Sequence, residues 1–310
     1  MKRREFLGTA AMASMLVMTN PRMSLAAPAA SSSAATGSMR THRIPVSGEV
    51  LPVIGMGTSG SFEIGTDPAE REARREVLRR FFAGGGRLID TAPSYGTAES
   101  VLGDLLAELE FRDRAFLATK LSSIGRDAGL AQFHQSLARL KTDRIDLLQV
   151  HNLRDWRTQL ALARELKQQG KVRYVGLTHY RDSAQDELAD AVKESKPDFL
   201  QINYSVTQRH AEKRVFPLAH ELGVAVLANR NFDDGALFAR VKGKPMPDWA
   251  GAIGATSWAQ LFLRFALSDP AVTCVIPATS KPERESDNLK AGTAPPLDAA
   301  QRKALIAAVA

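Results

Sequence analysis

Four side chains that can carry or stabilise a proton stand at or just beyond the ends of short apolar runs. Asp90 closes Leu88-Ile89-Asp90, and Tyr95 follows five residues later. Lys120 closes the run Ala115–Lys120, and His151 closes Ile145–His151. A polar group in such a place is costly to bury without a partner. The four types can partner one another. An ammonium beside a buried phenol favours the phenolate, so Lys120 is expected to lower the pKa of Tyr95. Asp90 can supply the counter-charge that Lys120 needs. Tyr95 can then give a proton to a carbonyl oxygen or take one from an alcohol. His151 can hydrogen-bond the same oxygen and orient it. Such a set moves protons but contains no nucleophile and no redox group, so a hydride has to come from a cofactor. Singly, each residue has a blander reading: Asp90 as a turn or cap, Lys120 as a snorkelling strand-end lysine, His151 as a satisfied core histidine. Their joint occurrence favours the chemical reading.

The elements that must position these residues alternate. Eight apolar strand candidates occur at Val53–Thr58, Arg87–Ala92, Ala115–Lys120, Ile145–His151, Val172–Thr178, Phe199–Ser205, Gly223–Asn229 and Val272–Ala278. Most are continuously apolar, as parallel strands covered on both faces are. Helical segments lie between them, at Pro68–Ala83, Ala98–Leu109, Ala128–Leu140, Arg157–Gln169, Ser183–Glu194, Arg209–Leu222, Thr256–Leu267 and Pro282–Ala291. Two short apolar runs around Ser47-Gly48 signal a hairpin ahead of the first strand. The expected class is α/β, a (β/α)8 TIM barrel with a short N-terminal β-hairpin, over residues 43–310. The main rival is an open doubly wound sheet. It usually carries a Gly-rich dinucleotide fingerprint, whose spacing Gly55-Met56-Gly57-Thr58-Ser59-Gly60 lacks. In such a barrel the site lies at the C-terminal ends of the strands, where Asp90, Lys120 and His151 stand.

The N-terminus reads as an address. MKRRE is followed by the apolar stretch Phe6–Met18, too short for the roughly 20 residues of a membrane span. Ser24-Leu25-Ala26 offers a cleavage site. Arg3-Arg4-Glu5-Phe6-Leu7 resembles a twin-arginine export signal. Residues 1–26 are therefore read as a signal for the twin-arginine machinery and 27–42 as a disordered lead-in, rich in Ala, Ser, Pro and Thr. The mature protein is expected to be periplasmic or otherwise exported, with no stable membrane insertion. The formal charge of +7 falls to +4 without the signal, and no basic run interleaves with aromatics after residue 40. Nucleic acid is thus not an expected partner. The single cysteine, Cys274, allows no internal disulfide and no Cys-based metal cluster. No metal is expected.

Motifs add a resemblance. LIDTAPSYGTAESVLG (Leu88–Gly103), ATK (Ala118–Lys120), IDLLQVHN (Ile145–Asn152) and VTCVIPATSKPERESDNL (Val272–Leu289) resemble, in order, the signature segments of aldo-keto reductases. The likeness runs from about residue 43 to 291. It implies a catalytic tetrad of Asp90, Tyr95, Lys120 and His151, with Tyr95 as general acid/base. It implies NADP(H) rather than NAD(H) as cofactor, and a small carbonyl or alcohol as substrate. Gly57 and Thr58 match positions near the nicotinamide and its ribose. Thr178 and Gln201 match positions that hold the carboxamide. Thr279, Arg284, Asp287 and Asn288 match the adenosine end, with Arg284 the partner of a 2′-phosphate. There are three departures. His179 replaces a common Asn, and Asn229, followed by Arg230, replaces a ring that stacks on the nicotinamide. Ala278 replaces a phosphate-binding lysine. Arg230 can stack in place of the ring or approach the pyrophosphate. Trp156, Trp249, Phe62 and Phe232 are candidates for a substrate pocket, with Trp258 and Cys274 assigned to the core. A non-catalytic nucleotide-binding sensor on the same fold is the alternative function. A missing Tyr or Lys would favour it, and both are present.

Overall fold

The computed structural model describes residues 37–310. The signal segment 1–26 and most of the lead-in lie outside the described residues. The lead-in ends sooner than the sequence suggests. Thr41 and His42 already belong to β1 (Thr41–Arg43), which pairs antiparallel with β2 (Val50–Pro52) in the expected hairpin.

The hairpin is followed by β3 (Met56–Gly57), α1 (Pro68–Ala83), β4 (Leu88–Asp90), α2 (Ala98–Glu108), β5 (Phe116–Leu121), α3 (Arg126–Arg139) and β6 (Ile145–His151). Next come α4 (Trp156–Gln168), β7 (Val172–His179), α5 (Gln185–Ser195), β8 (Phe199–Asn203), α6 (Val215–Leu222) and β9 (Ala225–Asn229). Two short helices, α7 (Ala236–Arg240) and α8 (Trp249–Ala252), precede α9 (Trp258–Ala266), β10 (Val272–Val275), α10 (Pro282–Thr293) and α11 (Ala299–Val309). Strands β3 to β10 form one parallel sheet in chain order. Parallel bridges Ile54–Val275 and Gly57–Ala278 join its two edges, so the eight strands close into a (β/α)8 barrel.

Local chemistry sets the elements. α1 starts where the Asp67 carboxylate accepts from the Glu70 N–H at 2.8 Å and Pro68 occupies the first turn. It stops at Gly84-Gly85-Gly86. Gly85 takes φ +88°, and a Cβ on Gly86 would lie 2.2 Å from the Phe81 ring. The sequence reading missed α11. A capping box between Asp298 and Gln301 starts it, and Leu305 and Val309 anchor it.

Strand alternation sorts the interior into levels. Leu88, Phe116, Leu147, Tyr174, Phe199, Ala225, Leu227 and Cys274 form one buried apolar cluster. Ile44 and Leu51 of the hairpin join it, and His42 Nδ1 bonds Val272 O at the start of β10. The hairpin thus closes the N-terminal end of the barrel. Neighbours of opposite parity, such as Ile89, Leu117, Leu148, Val150, Leu200 and Val226, pack outward with the helices in a second cluster. Two residues beyond the apolar level, the same inward parity brings Asp90, Lys120, Gln149 and Gln201 toward the C-terminal end. Among the described residues, no helix is long and apolar enough to cross a membrane.

Candidate active site

Four strands, β4, β5, β6 and β8, bring charge and amides together inside the barrel. Lys120 Nζ donates to Asp90 Oδ2 at 2.6 Å and to Thr91 O at 2.7 Å. The other carboxylate oxygen, Oδ1, accepts from Gln201 Nε2 at 2.7 Å and from Gln149 Nε2 at 3.0 Å. All four side chains are buried. Asp90 therefore has one cation and two amide donors. Sequence reasoning overlooked Gln149, although its signal was present. Gln149 is a lone amide in an apolar strand, two residues before His151, and so it shares the inward face.

Tyr95, on the loop after β4, lies against this cluster. Lys120 Nζ is 4.9 Å from the centre of its ring, and the His151 ring meets it edge-on at 5.9 Å. The four residues of the expected tetrad are thus assembled at one end of the barrel. The protonation pattern differs from the sequence expectation at one point. Burial raises the Tyr95 phenol above its ordinary pKa. The Lys120 charge only partly offsets this, and Asp90 adds to the rise. The expected lowering fails because desolvation of a phenolate outweighs an ammonium whose field is already balanced by Asp90. Burial alone would lower Lys120, but the Asp90 carboxylate and Tyr95 outweigh it and raise its pKa. His151 is pushed down to about 3, by burial first, then by the Lys120 charge and His179. At neutral pH the cluster holds a protonated phenol, an ammonium and a neutral imidazole. Ser94 Oγ lies 3.4 Å from His151 Nδ1.

The expected cofactor residues fall into two groups. Thr58 is buried and its hydroxyl donates to Asp90 O at 3.0 Å. Thr178 Oγ1 donates to Gln201 Oε1 at 3.3 Å, and Asn229 Nδ2 to the same oxygen at 3.1 Å. Gly57 sits at the barrel seam, where a Cβ would come within 2.9 Å of Ile276 O. Closure of the barrel itself therefore calls for glycine there. In the second group, Asn288 and Thr279 are buried, and Thr279 Oγ1 accepts from the Lys281 N–H. Arg284 is exposed and makes no salt bridge among the described residues. Asp287 is engaged inside the protein, accepting from Ser257 Oγ at 2.5 Å and Gln260 Nε2 at 2.6 Å.

Two residues lie apart from the network. His179 has the outward parity of β7. It stacks on Tyr180 with ring centres 5.8 Å apart, and its Nδ1 accepts from the Arg181 N–H. Arg230 lies over the Tyr180 ring, 5.3 Å from its centre, and pairs with Asp234. Phe62 is fully buried in the helix–strand core, which removes it from the pocket candidates. Trp156, Trp249, Phe232 and Trp258 are partly buried against the same core.

Comparison with known proteins agrees with this architecture. Residues 53–309 match the model of the aldo/keto reductase family. The aldo-keto reductase YhdN of Bacillus subtilis is 30% identical over 61% of this chain and 60% of its own length. The matched region thus spans less than two thirds of that relative. The NADH-specific methylglyoxal reductase of Escherichia coli is 26% identical over 68% of this chain and 73% of its own. The crystal structure of an aldo/keto reductase from Klebsiella pneumoniae, in complex with NADP and acetate, superposes with a TM-score of 0.69. It is 25% identical, covering 83% of this chain and 91% of that one. With the family model matched over most of its length and a closed barrel carrying the charged cluster at its C-terminal end, the chain belongs to the aldo/keto reductase family.

Proposed function

We propose that this protein is an NADP(H)-dependent oxidoreductase that interconverts a small carbonyl compound and its alcohol, with Tyr95 as general acid/base. The observation that carries the reading is the Asp90–Lys120 pair at 2.6 Å under the Tyr95 ring, with a neutral His151 at the edge of that ring. The residues present suit a nicotinamide nucleotide. Asn229 Oδ1 is buried without a partner among the described residues, and Arg284 is exposed with no carboxylate bound to it. Thr58 and Asn229 would hold the nicotinamide end, beside Gly57, with Thr178 and Gln201 fixing the Asn229 amide. Thr279, Arg284 and Asn288 would hold the adenosine end, and Asp287 would support them through Ser257 and Gln260. His179 and Arg230 would flank the nucleotide from the rim. The NADP-bound relative supports NADP(H), and Arg284 supplies a cation suited to a 2′-phosphate.

When bound, the reduced nucleotide supplies the hydride. The protein supplies the proton and the electrostatics. Tyr95 keeps its proton at neutral pH and can release it to an oxygen as negative charge develops there. The Lys120 ammonium then stabilises the phenolate, because its charge lies against the same ring. Asp90 holds Lys120 in its charged form and, gripped by Gln149 and Gln201, fixes its position. His151, neutral throughout the physiological range, can hydrogen-bond the oxygen without bringing a second positive charge. Replacing Tyr95 by Phe tests the assignment. Carbonyl reduction should fall at least about a hundredfold while NADPH affinity is kept, the scale of a lost general acid. Wild-type turnover in the Phe variant would refute it.

We also propose that residues 1–26 direct export by the twin-arginine route, with cleavage near Ala26 and a periplasmic mature enzyme. A route for folded proteins lets the barrel acquire its nucleotide before crossing, and the bound nucleotide stabilises the folded state by mass action.

A further inference from the structure

Gln201 has no hydrogen-bonding capacity to spare. Its Nε2 donates to Asp90 Oδ1 at 2.7 Å and to Gln149 Oε1 at 3.3 Å. Its Oε1 accepts from Asn229 Nδ2 at 3.1 Å and from Thr178 Oγ1 at 3.3 Å. An amide has two N–H donors and two acceptor lone pairs, so all four are used.

The chain of donors and acceptors also sets the orientation of Asn229. Asp90, ionised beside Lys120, can only accept, so Gln201 must turn its NH2 toward it. Gln201 Oε1 then faces Asn229, which must offer its own NH2. Asn229 Oδ1 is left on the far side of its amide, buried and with no partner among the described residues. A buried acceptor without a donor carries a desolvation cost that a donor from a ligand removes. Asn229 ends β9 on the inward parity of Leu227 and lies one hydrogen bond from Gln201 and two from Asp90. Asn231, two residues on, also leaves Oδ1 bare, but its NH2 is turned to Tyr204 O and it is outside this network.

We propose that Asn229 Oδ1 accepts a hydrogen bond from the carboxamide NH2 of the nicotinamide, and that Gln201 serves as a positioning residue for Asp90 and Asn229. The proposal rests on the nucleotide reading above. It follows from chemistry. The nicotinamide head carries one kind of N–H donor, the carboxamide NH2, and Asn229 Oδ1 is the acceptor that the Asp90–Gln201–Asn229 chain of amides leaves bare. It also gives the residue at the end of β9 a different task, the reading of an amide edge in place of the covering of a ring face.

The test compares binding of NADP+ with its 3-acetylpyridine analogue, in which a methyl group replaces the carboxamide NH2. Equilibrium titrations on the purified protein should show about tenfold weaker binding of the analogue to wild type, the scale of one hydrogen bond. In Asn229→Leu the two should bind alike. 2′,5′-ADP, which has no nicotinamide, should bind wild type and variant equally and reports that the rest of the site is folded. If the Leu variant loses 2′,5′-ADP, Asn229→Ala takes its place in the comparison. A wild type that binds both dinucleotides equally, or a folded variant that keeps the tenfold preference, overturns the proposal alone. If wild type binds neither dinucleotide, the nucleotide reading falls, and the proposal falls with it.

Discussion

Replacing Glu285 by Gln should remove a steep loss of stability with rising pH. Glu285 sits in the first turn of α10, on the face that also buries Asn288 and Leu289, where the helix packs against α1 and α9. The side chain is fully buried, and neither carboxylate oxygen has a partner among the described residues. Burial pushes its pKa from 4.5 up to about 8. The positive end of the helix favours the carboxylate by at most about 2 kcal/mol, too little to reverse this. The sign follows from linkage. The folded state holds the proton more tightly than the unfolded chain, so folding is favoured most below pH 4.5 and loses stability as pH climbs toward 8. At about 1.4 kcal/mol per pH unit, the loss is roughly 3 kcal/mol by pH 7 and about 4 kcal/mol by pH 8, and it levels off at roughly 5 kcal/mol above that. Gln keeps the shape and the polar end but has no proton to lose. Urea unfolding of both proteins at pH 5, 6.5 and 8 should give curves that nearly coincide at pH 5 and diverge upward, the Gln variant becoming the more stable. Parallel pH dependences in the two proteins would refute the argument, because the carboxyl would then be solvated or paired.

Three further outcomes follow from the site. Arg284→Ala should weaken NADPH binding by about 1.5–3 kcal/mol and leave NADH nearly unchanged, as for a hydrogen bond to a charged group; equal loss for both in parallel titrations would remove the 2′-phosphate role. The kcat/KM for carbonyl reduction should be flat from pH 5 to 8, because His151 is neutral down to about pH 3 and the raised Tyr95 keeps its proton well past neutrality. It should fall only above the ordinary phenol range, and a break near pH 6.5 would show that His151 titrates. Exchange of Arg3 and Arg4 for Lys should leave the protein in the cytoplasm, checked by fractionation, and unchanged export would exclude the twin-arginine route.

The barrel was legible because most of its strands are runs of consecutive apolar residues with no polar alternation, as parallel strands between two packed layers require. The ends of those strands named Asp90, Lys120 and His151 for the same reason. Gln149 escaped because it stands inside an apolar strand, one inward step behind the strand end. The direction of the Tyr95 shift was misjudged because a sequence shows that a lysine is near but not how far water is excluded. Asp287 reads as a ligand contact in sequence, yet its partners Ser257 and Gln260 come from another helix, a tertiary fact that no local pattern carries. Helix α11 was missed although Asp298 and Gln301 stand at capping-box spacing, since the following Ala-rich stretch has a weak apolar stripe. Glu285 is hidden for a similar reason. A glutamate in a first helical turn looks solvated until the helix is docked.

Cys274 lies in the apolar level of the barrel interior, sealed beneath the hairpin, and burial raises its thiol well above the ordinary range. It is the only cysteine in the sequence. While the barrel is closed, a thiol reagent therefore has nothing to react with, and modification must wait for strands to separate. The native chain thus carries its own opening clock. The rate at which a maleimide labels it measures how often the barrel comes apart, and any cysteine introduced at the surface can be labelled against a silent background.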